Sequence, residues 1–458
     1  MASLPLLVHD RPTAIVAYRD GRPITAARFL EDARALARRL PAGSHVLNAC
    51  VDRYHFTVGL AACLLGRKCS VLPSTHTPEV IRHLRAFAPD VFCLTDDPHN
   101  SIDLPQVSFA PGDPTSAPRR EDGSSWQVPL IHSEHIAAYV FTSGSTGVPV
   151  PHPKTWGRLV ACVRAEVFRL PPIDRAACTI VGTVPAQHMY GFESTVLLPL
   201  LSGSALCAER PFYPADIAAT LERLPQPRVL FSTPVHLRAL LAADIALPKL
   251  ALIVSATANL SANLARDVEH RFDTPLLEIY GSTETGQIAT RRTATQDSWR
   301  LWPDVWLEVS DSGCMAQGGH VGEPTALADV VELIDRERFL LHGRTADLVN
   351  IAGKRNSIAY LNHQLNAIPG VVDAAFFVRE DTEESLAGSG RLAALVVAPG
   401  IDTATIIQAL RERIDPVFLP RPLLLIERLP RNETGKLPHQ TLRAIAAEAA
   451  VRQPHLFA

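Results

Sequence analysis

The feature that most limits the folds open to this chain is a series of short apolar runs, each closing on serine, threonine, glycine or proline. "TIVGTVP", "GSALCA", "RVLFSTP", "ALIVSA" and "LLEIYGSTETG" succeed one another between residues 179 and 286. Short runs rich in β-branched residues and bounded by turn formers read as buried strands. Their alternation with helix-length intervals favours an α/β layer with parallel strands. Small polar residues just past strand ends are where open α/β sheets bind ligands. Several of these ends are therefore expected to converge on one site.

The same alternation begins nearer the N-terminus. "SHVLNACV" reads as a strand, Phe56, Leu60 and Leu64 repeat at helical spacing, and "CSVLP" is a second strand. Thr77 places a capping hydroxyl before Pro78 and Glu79, the signature of a helix start. Val80, Ile81, Leu84 and Phe87 form that helix's apolar face, Pro89 ends it, and "VFCLTDD" is a third strand. A Pro- and Ser-rich stretch, roughly 99–128, reads as a surface connection. After residue 343 the character changes: "VVDAAFFV" and "RLAALVVAP" read as strands, and Ile406, Ile407, Leu410 and Ile414 as a helix face. The expected fold class is α/β, a large N-terminal domain (1–343) of layered sheets with flanking helices followed by a small α+β C-terminal domain (344–458).

Composition narrows the function classes. A chain of 458 residues is too long for one ordinary core. The net charge of −3 argues against a nucleic-acid-coating surface. No apolar run approaches the roughly 20 residues of a membrane span, and "MASLPLLVHDRP" lacks the basic region of a signal peptide. A cytoplasmic protein is expected. None of the eight cysteines forms a Cys-x-x-Cys pair, so they read as reduced packing residues.

Four stretches carry candidate chemistry. In "FTSGSTGVPVPHPKTW" the hydroxyls and glycine backbone of residues 142–147 could donate to a polyphosphate. It is not the P-loop NTPase pattern, because Val148 and not a lysine follows the second glycine, Gly147; alone, such a loop is more often a plain turn. In "EIYGSTETG", Tyr280 could stack on a base, Thr283 donate to a phosphate and Glu284 hold Mg2+ through oxygen; the alternative is a capped strand-to-helix turn. Asp329 and Arg344 flank a candidate hairpin with "DRER" as its turn, which would return them to one end. There they could bind a ribose diol or form an ordinary surface ion pair. Lys436, in "LPRNETGKLPHQTLR", is by itself a loop lysine of the solvated kind.

Together, in this order and spacing, the four stretches resemble the adenylate-forming superfamily of acyl-CoA synthetases, peptide-synthetase adenylation domains and luciferases. The resemblance runs from "DGRPITAARFLEDARALARRL" to "GKLPHQTLR". It implies that Thr142, Ser143, Gly144, Ser145, Thr146 and Gly147 wrap the β- and γ-phosphates of ATP. Tyr280 would stack on adenine, Thr283 contact the α-phosphate, and Glu284 ligate Mg2+. Asp329 and Arg344 would hold the ribose, and Lys436, on a mobile C-terminal domain, would bridge the carboxylate and the α-phosphate. His188 in "VPAQHMYGFE" matches an aromatic position near the acyl site. Tyr190, Gly191, Ser255, Ala256 and Gly281 join it as pocket residues.

The chain also departs from the pattern. Val150 replaces the lysine after the phosphate loop, and Lys154, four residues on, is the candidate to reach back. Ala346 occupies the usual place of the hinge acid, with Asp347 retained beside it, and position 328 is Ala where Gly is common. The short segment between Thr285 and Asp329 and the variant loop resemble stand-alone aryl acid:acyl carrier protein ligases of aryl polyene pigment pathways. That likeness implies an aryl acid, 3-hydroxybenzoate foremost, loaded onto a phosphopantetheine thiol. A fatty or aryl acid with CoA as acceptor is the second expectation, and a nucleotide-binding module without turnover the third.

Overall fold

The computed structural model describes residues 2–109, 126–143, 149–310, 313–344, 348–351, 354–379 and 391–431, and beyond these 437, 441–442, 444–445 and 448. Two large sheets organise the first three quarters of the chain. The first has six strands, in the order Pro149–Thr155, Ile136–Ser143, Cys69–Leu72, His45–Asn48, Phe92–Thr95 and Gln106–Ser108. All its neighbours are parallel except the hairpin formed by the first two. The second sheet has eleven strands. Its centre is the expected parallel series Ala205–Cys207, Thr179–Gly182, Arg228–Ser232, Leu252–Ser255 and Leu276–Ser282. Antiparallel strands Gly286–Arg291, Trp299–Leu301, Arg338–Arg344 and Asp329–Leu333 extend it on one side. Ile15–Arg19, parallel to Ala205–Cys207, and Arg22–Thr25 extend it on the other. The fold class is the mixed α/β arrangement expected.

Helix Pro78–Phe87 starts as its sequence dictates: the Thr77 hydroxyl accepts from Val80 N at 3.4 Å, with Pro78 in the first turn. Ile81 and Leu84 form its buried face, whereas Phe87 lies at the rim, edge-on to Tyr139 and Phe141. Helix Arg53–Leu65 is buried from Arg53 through Leu64, because it packs against strands of both sheets. A helix apolar all round belongs in such a place. The one charge on it, Arg53, meets four backbone carbonyls, those of Gly182, Val184, Cys207 and Glu209, at 2.8–3.2 Å.

One reading from the sequence needs correction, and one strand was not read from it at all. The stretch 99–128 is not merely a connection: Gln106–Ser108 is an edge strand of the first sheet, and Trp126 Nε1 donates to the His9 carbonyl at 3.1 Å. Three residues are too few to show a period. "PVPHPKT" is a strand, although prolines are depleted from strands. It lies at the sheet's edge, and Pro149, Pro151 and Pro153 alternate along it. All three therefore turn the side lacking an N–H in one direction, and Val150, His152 and Lys154 carry the ladder.

In the C-terminal part, Asp373–Arg379 pairs antiparallel with Arg391–Val397, which pairs parallel with Leu423–Leu425. Helices Ile358–Asn366 and Thr403–Arg411 pack on this sheet through Leu361, Leu365, Ile406 and Leu410. Asp373 takes two hydrogen bonds from Arg431 at 2.8 Å, and Arg238 of helix Pro234–Ala242 stands 3.3 Å from the same carboxylate. All eight cysteines are buried and unbridged. Among the described residues no helix is long and apolar enough to cross a membrane.

Candidate active site

The stretch "YGSTETG" forms a hairpin turn and leads into strand Gly286–Arg291, not into a helix. Its closure is local. The Ser282 N–H donates to Thr285 Oγ1 and the Thr285 N–H to Ser282 Oγ, each at 3.2 Å, and the two hydroxyls lie 3.1 Å apart. The Thr285 hydroxyl donates onward to the Gly286 carbonyl at 2.8 Å. Glycine is required at 281, where a Cβ would stand 2.3 Å from the Gly286 carbonyl, and at 286, where φ is +75°. Thr283 and Glu284 are left at the tip, and the Glu284 carboxylate is 38% exposed.

Tyr280, just before the turn, donates its hydroxyl to Asp329 Oδ2 at 2.8 Å. Its ring lies 5.5 Å from Trp299 and 5.8 Å from Phe339. Asp329 stands directly opposite Arg344 in the register of the 329–344 hairpin, as the turn at "DRER" dictates. The buried Glu278 anchors the strand that carries Tyr280, accepting from Leu260 N, Arg291 Nε and Thr293 Oγ1.

The phosphate-loop candidate projects from the 136–155 hairpin. Thr142 lies on its first strand, with its hydroxyl 3.0 Å from His152 Nε2. Ser143 is that strand's last residue, and Gly144, Ser145, Thr146 and Gly147 lie outside the described residues. His152 is also 3.7 Å from the Glu284 carboxylate. Burial lowers its pKa, against the opposing pull of Glu284, so it is neutral near pH 7. Lys154 is buried and donates to the Glu284 carbonyl at 3.0 Å. It thus ends on the glutamate's backbone. Desolvation lowers its pKa too, and the charge of Glu193 opposes that shift.

Behind the turn lies a cluster with no signal in the sequence beyond its residue types. Glu166 and Glu193 are fully buried, and desolvation pushes their carboxyls up to about 8 and about 7. Ser194 donates to Glu166 at 2.7 Å, Gln287 to Ser194 at 2.8 Å, and the Cys162 thiol lies 3.2 Å from Glu193.

The acyl-pocket candidates gather at the ends of the central strands. His188 precedes the short helix Met189–Gly191. Tyr190 is buried and donates to the Val254 carbonyl at 3.1 Å, beside Ser255 and Ala256. At Gly191 a Cβ would stand 2.0 Å from the Pro185 carbonyl, so no larger residue fits. The Ser255 hydroxyl is fully buried and without a partner among the described residues.

The geometry therefore joins Thr142 to Glu284 through His152 and Tyr280 directly to Asp329, with Tyr280 and Glu284 on one turn, and joins Tyr190 to the strand ending at Ser255. Arg344 enters by backbone register, and Lys436 lies outside the described residues. Sequence reasoning missed His152, Arg53 and the Glu166–Glu193 cluster. The alternation of "PVPHPKT" is the one available signal, since it places His152 and Lys154 on one face.

Residues 8–343 match the model of the AMP-binding enzyme family. A 4-coumarate–CoA ligase from Rhodobacter capsulatus is 32% identical over 310 residues, covering 66% of this chain and 75% of the relative. A p-hydroxybenzoic acid–AMP ligase from Mycobacterium marinum is 27% identical over 458 residues, covering 89% of this chain and 62% of the relative. Among solved structures, the o-succinylbenzoate CoA synthetase of Bacillus subtilis, in complex with its acyl-adenylate intermediate, shares the fold. Its TM-score is 0.77 at 17% identity, with 97% of this chain and 99% of that chain covered. With that match spanning most of its length, the chain belongs to the AMP-binding enzyme family.

Proposed function

We propose that the protein activates an aryl carboxylic acid with ATP, forming an acyl-adenylate, and passes the acyl group to a thiol. The observation that carries this reading is the link of the loop stem at Thr142 to Glu284 through His152, with the Tyr280–Asp329 pair at the base of the same turn. These are the groups a nucleoside triphosphate needs along its length. Residues 142–147 would take the β- and γ-phosphates and Thr283 the α-phosphate. Tyr280 would face the adenine, and Asp329 with Arg344 the ribose. The donor set suits Mg2+, which uses one or two carboxylates plus substrate phosphates. Glu284 offers an exposed carboxylate, and among the described residues no cluster of three metal-ligating side chains competes with it. Bound there, Mg2+ would offset phosphate charge.

In the first step a carboxylate oxygen attacks the α-phosphorus and the bond to pyrophosphate breaks. Two anions approach, so the chain must chiefly position them and supply positive charge. Lys436, on the segment after residue 343 that we assign as a separate lid domain, would supply it between carboxylate and α-phosphate. In the second step a thiolate attacks the acyl carbon and AMP leaves.

For the acid, an aryl group is supported by the coumarate and p-hydroxybenzoate ligases similar to this chain. A hydroxylated ring, 3-hydroxybenzoate foremost, suits the unpartnered buried hydroxyl of Ser255. The variant loop and short middle segment favour a carrier-protein phosphopantetheine as acceptor, and the similar coumarate ligase favours CoA. Exchange of labelled pyrophosphate into ATP across benzoate, the hydroxybenzoates, coumarate and long-chain acids tests the reading. Exchange with hydroxybenzoates, lost about 10²–10³-fold in Lys436→Ala, is expected. Exchange with alkyl acids alone, or full exchange without Lys436, would refute it. A thioester assay offering one activated acid both CoA and holo carrier protein decides the acceptor.

A further inference from the structure

We propose that Lys154 is a positioning residue of this site: its ammonium holds the Glu284 carbonyl and thereby the orientation of the Thr283–Glu284 turn. The proposal rests on the assignment of Glu284 to Mg2+ made above.

Three observations carry it. In strand Pro149–Thr155, Val150, His152 and Lys154 share one face. Val150, nearest the loop, is 44% exposed, whereas His152 and Lys154 both end on Glu284, one at its carboxylate and one at its carbonyl. The same glutamate is thus gripped at side chain and backbone by one strand face.

The second observation is distance along that strand. Four residues at about 3.3 Å each put Lys154 roughly 13 Å from Val150. Its ammonium is already spent on the Glu284 carbonyl at 3.0 Å. A lysine so placed serves the turn and does not replace a cation at position 150.

The third is burial. Lys154 is only 8% exposed, and among the described residues it has no carboxylate within ion-pair distance. An ammonium is costly to bury and is kept where its hydrogen bonds matter. Glu193 steadies its charge from behind. It also backs the far end of the turn: its Oε1 would lie 2.9 Å from a Cβ placed on Gly286. The turn is therefore held at Glu284 by Lys154 and flanked at Gly286 by Glu193. A residue that fixes a metal ligand's orientation typically alters metal affinity about 10–100-fold when removed.

The test is equilibrium binding of ATP by calorimetry, in Mg2+ and in EDTA, for the parent, Lys154→Met and the double variant Lys154→Met/Val150→Lys. Lys154→Met is expected to weaken binding about 10-fold or more in Mg2+ and less than about 3-fold in EDTA. Val150→Lys is expected not to restore the Mg2+ preference. Equal losses in both media, or full rescue by Val150→Lys, would mean a direct phosphate contact and overturn the proposal. So would unchanged binding. A change confined to melting temperature would mark Lys154 as merely structural and overturn it as well. If Lys154→Met does not fold, Lys154→Leu, which likewise has no donor, carries the same comparison. A parent that binds no ATP removes the functional reading along with the proposal. A parent that binds ATP with Mg2+ alongside an indifferent Lys154→Met removes the proposal alone.

Discussion

Arg53 is where a single substitution should do most damage outside the candidate site. It is 1% exposed, and its guanidinium reaches the carbonyls of Gly182, Val184, Cys207 and Glu209. The helix between the sheets is thereby tied to two strand ends of the second sheet, one of which runs into His188. Replacing Arg53 by Met keeps most of the bulk and deletes every donor. Hydrogen bonds from a charged donor contribute about 1.5–3 kcal/mol each, though not additively. Against their loss stands relief of a desolvated charge: burial pushes the Arg53 pKa down to about 10. That relief is roughly 3 kcal/mol. The net expectation is a loss of about 3–5 kcal/mol, as for other broken buried charges. In a large domain this lowers the melting temperature by about 5–10 °C, measurable by circular dichroism on parent and variant side by side. Arg53→Lys should recover less than half, since an ammonium has three donors and no planar fork. A melting point for Arg53→Met within about 1 °C of the parent would refute the reasoning, as would full stability of Arg53→Lys.

Three further perturbations follow from buried ionisable groups. Glu166 binds its proton more tightly folded, at about 8, than its ordinary 4.5, so its contribution to stability is present at low pH and lost as pH rises through 8. Glu166→Gln should remove that decline, and melting temperatures from pH 5 to 9 that fall equally in both proteins would contradict this. Asp373→Asn should cost about 3 kcal/mol by leaving Arg431 and Arg238 without their shared anion. Arg238→Ala should cost about 1 kcal/mol, because Asp373 keeps both bonds from Arg431. Equal urea midpoints for the two variants would be the contrary result.

What could be read from the sequence was what is decided locally. The capped start at Thr77 and the register that sets Asp329 opposite Arg344 follow from a few neighbouring residues. So do the parallel strands 179–182, 228–232 and 252–255, whose runs are continuous and apolar. What escaped depends on partners distant in the chain. Ile15–Arg19 joins the second sheet beside Ala205–Cys207, a pairing that no local pattern announces. Arg53, Glu166 and Glu193 are charged, and within a helical period a charge reads as a solvent face until the packing is known. The strand "PVPHPKT" was not read, because prolines fit a strand only at an edge, and an edge position cannot be recognised from one segment. Half of the candidate site was legible as motifs. Of the supports beneath it, Lys154 was singled out, but as a cation reaching back to the loop and not as a donor to the Glu284 carbonyl; His152 and Glu193 were not, because each acts on a residue far off in sequence.

The cross-bonded turn between Ser282 and Gly286 has a consequence for how a ligand would be met. Its shape comes from its own two hydroxyls and two glycines, with Lys154 holding the Glu284 carbonyl, so it is settled during folding and needs no guest to freeze it. Whatever lands on Thr283 and Glu284 finds a rigid ledge, and little entropy is surrendered there at the moment of capture. Discrimination at this ledge is accordingly a matter of steric and charge match, and any slower adaptive motion must come from elsewhere in the molecule.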